Sequence, residues 1–353
     1  ADHARSGHKK VIATPETLEI MKVRFGNGFS QSPYGLEYGR KLTVNDVTIW
    51  LVPAGHVLGS SQIVIEHGGT RVVVSGDYKR QRDPTCSPFE AVTCDVFITE
   101  ATFGLPVFKH PKAQLEIKKL LNSIDLFTDR CHVVGAYALG KAQRIISLLR
   151  ESGYQQPIFI HGALKKLCDL YVEHGVELGE IITVPDLRKK TGKLNLDGQI
   201  VIAPPSAIAD RWVRKFGDPI IVMASGWMRI KQRARQRNVD LPLVISDHAD
   251  WDELFQTFHE VAAPEIWVTH GREEAIIHQA TLEGFKAKAL SLIGYDEILQ
   301  DKSINEDYKN KMIHYFLEKL SQIIGKEKIK YVKLITQSLL FTLIPLHNNE
   351  KCI

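Results

Sequence analysis

The sequence predicts an α/β protein with two sheet-forming regions, on three observations. Between residues 112 and about 225, helical patterns alternate with short apolar runs, as in a mainly parallel sheet covered on both faces. Upstream, residues 47–74 read as three consecutive strands separated by small-residue turns. Downstream, residues 241–293 return to strand, helix, strand, helix, strand. With 353 residues, 44% hydrophobic and 24% charged, the chain can form one large domain or two ordinary ones, each with its own core.

Taken in order, the first element is a helix over 15–24, with Thr14 as its cap and Leu18, Met21 and Val23 at mostly helical spacing. Residues 26–39, rich in Gly, Ser and Tyr, read as a loop. Strands follow at 47–52, 61–66 and 70–74, the last two joined by the turn residues His67-Gly68-Gly69. The loop 79–88 carries Lys79, Arg80 and Arg82, which suit either phosphate contact or plain solvation. A strand over 95–99 delivers Glu100 at its carboxyl end. The alternating region then reads as helix 112–123, strand 132–136, helix 141–151, strand 157–160, helix 163–174, and strands 199–203 and 219–223. The first sheet pattern resumes with strand 241–246, helix 251–262, strand 265–269, helix 273–284 and strand 287–293. Beyond Tyr295 the chain is rich in Lys, Ile, Asn and Glu, and 307–324 has helical spacing but no recognisable chemistry.

Composition restricts the function classes. A net charge of +4 permits a polyanionic partner without requiring one. Five scattered cysteines with no C-x-x-C pair argue for reduced thiols inside a cell and against a zinc finger. The chain opens with Ala-Asp-His rather than Met and shows no charged-then-apolar leader, so Ala1 is not expected to be a natural start. The apolar stretch 334–346 is interrupted by Thr, Gln, Ser and Pro345 and falls short of the roughly 20 residues a bilayer span needs.

The chemistry is concentrated in six short motifs: ADH at 1–3, AGHVLGS around His56, SGDY around Asp77, TEATFG around Glu100, SDHADW around His248, and VTHG around His270. Several place a metal-type ligand at the end of a strand, where a rigid sheet can hold it and small neighbours leave room for an ion and a substrate. Singly, each has a plainer reading, a turn His or a Gly-Asp turn, and Asp250 suits a helix cap. Gly140 and Lys141 open a helix after a strand, which reads either as a plain βα turn or as an anion site. Two basic runs follow, 188–193 and 229–237. The second sets Arg229, Lys231, Arg233, Arg235 and Arg237 on alternate residues beside Trp227, which suits phosphate contact; the first is a solvated charge run in its usual reading.

In this order the six motifs resemble the signature of the β-CASP group of metallo-β-lactamase-fold nucleases, with bacterial ligase-associated DNA exonucleases most similar and RNA 3′-end processing nucleases related. The resemblance covers roughly residues 1–295. It implies a metallo-β-lactamase αβ/βα sandwich, N-terminally truncated, from residues 1–104 and 241–294, an inserted β-CASP α/β domain at 105–240, and an extension at 295–353. It also implies two zinc ions: Asp2, His3 and His270 on one, His56 on the other, and Asp77 bridging both. His248 would protonate the leaving oxygen, oriented by Glu100, and Gly140, Lys141, Arg229, Arg233 and Arg235 would hold substrate phosphates. The family's motif is H-x-H-x-D-H, and its first two His, ligands of the His56 zinc, are absent here. The expectation is therefore one zinc or fewer and little hydrolysis by this chain, with His8 the first replacement ligand to examine. The implied function is a DNA exonuclease of repair or end processing, bacterial and cytoplasmic, with nucleic acid, DNA before RNA, and an ATP-dependent DNA ligase as partners. The alternatives are an RNA 3′-end processing nuclease, an inactive nucleic-acid-binding remnant, and, less well fitted, a small-molecule hydrolase.

Overall fold

The structure is a computed structural model that describes residues 6–293 apart from 45, 192–194 and 210. Asp2, His3, the helix expected over 307–324 and the rest of the extension lie outside the described residues.

The chain begins with β1 (His8–Ala13), α1 (Pro15–Phe25) and β2 (Ser30–Gly35). The Thr14 hydroxyl caps α1 by accepting from the Thr17 amide at 3.2 Å, and Pro15 occupies the first turn, where no amide hydrogen is needed. The loop expected over 26–39 is instead a 3-10 turn, Asn27–Phe29, and then β2, which pairs in parallel with β1. Five of the six β2 residues are exposed, so no apolar alternation marks this strand. Its order comes from a distant partner.

Next, β3 (Leu42–Val44), β4 (Val47–Pro53), β5 (Ser61–His67) and β6 (Thr70–Val74) form an antiparallel meander. The β5–β6 turn is Gly68-Gly69 with φ of 55° and 83°, the doubly positive geometry whose twist matches the flanking strands. β7 (Val96–Ala101) adds in parallel to β6. Glu100, expected just past this strand, lies within it.

A second sheet is built from α2 (Ala113–Leu126), β8 (His132–Gly135), α3 (Lys141–Glu151), β9 (Ile158–Ile160), α4 (Lys165–Glu173), β10 (Ile181–Thr183), α5 (Val184–Thr191), β11 (Ile200–Ala203), α6 (Pro205–Ile208), β12 (Ile220–Ala224), α7 (Lys231–Gln236) and β13 (Leu241–Leu243). Its order is β10-β9-β11-β8-β12-β13, with every pairing parallel. Val134, Ile160, Ile202 and Val222 face a core shared with Ile117, Leu120, Ile145, Leu148 and Tyr171 of the helices. Val133, Phe159 and Val201 face another with Val184 and Phe216. Both faces are covered, which is why these strands read as unbroken apolar runs.

The chain then returns to the first sheet through α8 (Trp251–Val261), β14 (Glu265–Gly271), α9 (Glu273–Leu282) and β15 (Lys286–Ala289), giving the order β15-β14-β7-β6-β5-β4-β3. Leu254 and Phe258 of α8 and Ile276 of α9 pack on Val64, Val73, Phe97 and Val268. One strand differs from its sequence expectation: the pattern over 241–246 predicts a strand of the first sheet, but Leu241–Leu243 pairs with Val222–Ala224 in the second. Asp240 fixes it there, its amide donating to the Ile221 carbonyl (2.9 Å) and its carboxylate accepting from the Ile221 amide (2.8 Å). A short apolar triplet carries no label for the sheet it joins.

Candidate active site

Strand direction brings the motifs together. β4, β6, β7 and β14 run the same way, so His56, Asp77, Glu100 and His270 gather at one edge of the first sheet. The carboxyl ends of β8, β12 and β13 meet the same place and contribute 137–141, 225–227 and 246–248. All of these except Glu100 and Gly140 line a cavity of about 590 Å³. Clefts outside the carboxyl ends of parallel strands are where α/β proteins bind ligands.

His56 sits in the turn after β4, and its Nδ1 donates to the Asp247 carbonyl at 2.7 Å. Its other ring nitrogen, Nε2, lies 3.9 Å from the Asp77 carboxylate. Across the cavity, the His248 Nδ1 donates to both Glu100 oxygens, at 2.8 and 3.0 Å. Glu100 is itself fixed: the Tyr78 amide donates to one oxygen at 2.8 Å and the Thr102 hydroxyl to the other. The His56 and His248 rings lie 4.9 Å apart.

One ligand atom from each of His56, Asp77 and His248 falls within 4.8 Å of the others. Two imidazole nitrogens and a carboxylate oxygen are donor types that zinc accepts, and a carbonyl behind a ligating imidazole is the outer contact that orients it. His56 and Asp77 fit a metal ion, with His248 within reach of the same point. His270 lines the cavity too, at a β-bulge after Thr269 with φ of 59°, but stands outside that cluster of three. His8 lies in β1 and is not part of the cluster.

Within the cluster His248 differs from the other two. Burial opposes charge on its ring, but the Glu100 carboxylate, with Asp77 and Asp247 beyond it, outweighs that and pushes its pKa up to about 9. Near neutral pH it is an imidazolium with its second N–H unclaimed by Glu100, which is the state of a proton donor.

Beneath the cavity lies a buried network of charges that the motifs did not announce. The Lys79 ammonium donates to Asp83 (2.5 Å) and to the His56 carbonyl (3.1 Å). Arg144, fully buried in α3, donates to the Ser246 carbonyl and lies 3.3 Å from Asp247 and 3.5 Å from Asp83. Lys141 donates to the Ile245 carbonyl (2.8 Å) and to Asp247 (2.9 Å). Burial opposes both carboxylates, yet Lys79, Arg144 and, for Asp247, Lys141 hold them below the usual range. Burial also lowers the Lys141 ammonium to about 8, with Asp247 pulling the other way.

The structure thus redraws the phosphate-contact set. Lys141 borders the cavity, but its charge is engaged inside the network. Gly140 serves close packing: its φ is 79°, and a Cβ there would fall 2.2 Å from Val57 Cγ1, on the His56 turn. In the 79–88 loop, Lys79 is buried, Arg80 pairs with Glu260 and Arg82 with Glu151, so all three cations face protein carboxylates. Arg229, Arg233 and Arg235 are exposed; Arg229 donates to the Val107 carbonyl (3.3 Å), and the Arg233 guanidinium sits 4.2 Å over the Trp227 ring. Trp227, read in sequence beside the basic run, lines the cavity, and so does Arg24, which no motif singled out; it lies in the last turn of α1 and gave no signal.

No family model matches the chain. Over 312 residues it is 28% identical to a probable DNA ligase of Opitutus terrae, covering 85% of this chain and 28% of that one. Over 146 residues it is 33% identical to an endoribonuclease of Saccharomyces cerevisiae, covering 38% of this chain and 18% of that one. The chain therefore spans about a quarter or less of these two relatives. A protein of unknown function from Enterococcus faecalis shares the fold, with a TM-score of 0.51 at 11% identity, covering 75% of this chain and 74% of that one. With the six motifs in order and His56, Asp77, Glu100, His248 and His270 at one edge of a sheet, these likenesses identify the chain as a member of the β-CASP nuclease group of the metallo-β-lactamase fold.

Proposed function

We propose that this chain hydrolyses phosphodiester bonds in nucleic acid, as a zinc-dependent DNA exonuclease acting with a DNA ligase. The observation that carries this is the His248–Glu100 pair facing the His56–Asp77 donors across one cavity. His56 and Asp77 would hold the metal, and the resemblance adds His270, which lines the same cavity, with Asp2 and His3. When bound, zinc supplies a water ionised near neutral pH and neutralises charge on the phosphate. Glu100 keeps the His248 ring turned inward, and His248 Nε2 passes its proton to the leaving oxygen, which would otherwise depart as an alkoxide. The DNA reading draws support from the likeness to a probable ligase over 85% of the chain.

In the same proposal residues 1–104 and 241–294 form the metallo-β-lactamase part and 105–240 the inserted part. The pairing of β7 with β14 across the intervening chain supports this, with the return placed after Leu243.

The test is zinc-loaded chain on end-labelled DNA and RNA single strands, linear and circular. Loss of linear DNA from its ends, stopped by a chelator, is the expected result. Cleavage of RNA alone would establish the second reading, an RNA-processing nuclease, which the endoribonuclease likeness favours. Absence of cleavage of either by zinc-replete chain would overturn both and leave the inactive nucleic-acid-binding remnant expected from the two absent His.

A further inference from the structure

Tyr137 is anomalous in its surroundings. It is 56% exposed and, of the exposed large apolar or aromatic side chains among the described residues, it alone lines the cavity. The turn that carries it is fixed: the Ala136 amide donates to the Ala203 carbonyl (2.9 Å) and the Tyr137 carbonyl accepts from the Ala142 amide (3.0 Å). A large aromatic ring carried on a fixed turn and left open to solvent in the wall of a cleft presents an apolar face that a flat ligand group can cover, and only its side-chain torsions remain to be ordered on binding.

A second aromatic wall stands nearby. β8 and β12 are neighbours, with Gly135 opposite Met223, so the turns carrying Tyr137 and Trp227 leave adjacent strand ends. Trp227 is held by the tilted ring of Phe103, by an edge contact with Phe108 and by the Arg233 guanidinium over one face of its ring. Flat aromatic surfaces beside an arginine match a strand whose bases are unpaired: the π faces take bases and the cation takes phosphate. A closed duplex cannot use these surfaces, because its bases are stacked on one another.

We propose that Tyr137, with Trp227 on the neighbouring strand end, forms a stacking subsite for an unpaired nucleobase in the cleft beside His248. This rests on the nucleic-acid reading above and adds the group by which a single strand is selected. The subsite takes DNA and RNA bases alike, since stacking does not involve the sugar.

The experiment is binding of fluorescent single strands containing 2-aminopurine to the full chain in chelator, so that no hydrolysis intervenes. DNA and RNA forms, an abasic strand of equal length and a hairpin-closed duplex are compared. We expect the base-bearing strands to be quenched on binding, and Tyr137→Ala to weaken their binding about tenfold while Tyr137→Phe restores it. The abasic strand and the closed duplex should bind Tyr137→Ala and the unaltered chain equally. Equal loss of affinity for abasic and base-bearing strands, or no loss for either, overturns the subsite. Zinc-loaded hydrolysis with base-indifferent binding would overturn it while leaving the hydrolytic reading standing. Base-dependent binding through Tyr137 by a chain that hydrolyses nothing would support the subsite and count against hydrolysis.

Discussion

At the scale of single residues, His248 and Glu100 carry the sharpest expectation. Replacing His248 with Ala removes the proton donor and should lower single-turnover hydrolysis about a hundredfold or more while bound zinc, read by elemental analysis, is unchanged. Loss of zinc together with rate would make His248 a ligand, as its place in the three-residue donor cluster also permits. Glu253 gives a pH expectation remote from this chemistry. Burial first, and Asp250 beside it, push its carboxyl up to about 7. The folded chain thus holds this proton more tightly than the unfolded chain. The associated stability is present at pH below the ordinary carboxylate range and is lost as pH rises through about 7. Between pH 5 and 8 this group should cost on the order of 2–3 kcal/mol. Glu253→Gln, which keeps an acceptor for the Asp250 amide, should flatten that part of the profile in urea titrations. Asp250 itself was legible: a helix cap read from sequence is a capping box with Glu253 in the structure, because both halves of that motif lie within one turn.

At the scale of elements, α3 and the β13–α8 loop are joined by the buried charges. Asp247→Asn would leave Lys141 and Arg144 in the interior without a full countercharge. A loss of about 3–5 kcal/mol in urea unfolding is expected. The double variant Asp247→Asn/Lys141→Met removes one orphaned cation and should recover part of it; no recovery would show that the pair is not coupled. Gly140→Ala forces both a left-handed backbone on Ala and a clash with Val57, and should destabilise by about 1–3 kcal/mol. Sequence shows Lys141 and Gly140 only as a βα turn with a cation. Whether the ammonium faces a ligand or a carboxylate depends on depth, which spacing along the chain does not encode.

At the scale of the whole molecule, the exposed arginines of α7 and the preceding turn should steer a polyanion to the cleft. Changing Arg233 and Arg235 to Ala should weaken binding and reduce the slope of log affinity against log salt by up to about two; an unchanged slope would remove them from the contact surface. Among the described residues no helix is long and apolar enough to cross a membrane. The sequence by itself determined the α/β alternation, the helix α3 to the residue, the β5–β6 turn, and the short motifs that carry His56, Asp77 and His248. All of these follow from local periodicity, turn stereochemistry or short motifs. Tertiary structure alone decided that β2 is a strand, that Leu241–Leu243 joins the second sheet, and that His56 is oriented by a carbonyl 191 residues away. It also decided that Lys79, Lys141 and Arg144 are internal and Tyr137 is not. A cation is buried only where distant carboxylates and carbonyls converge on it, and an aromatic ring stays exposed only where packing leaves it no neighbour. Both are properties of long-range contact, which the order of residues along the chain leaves open.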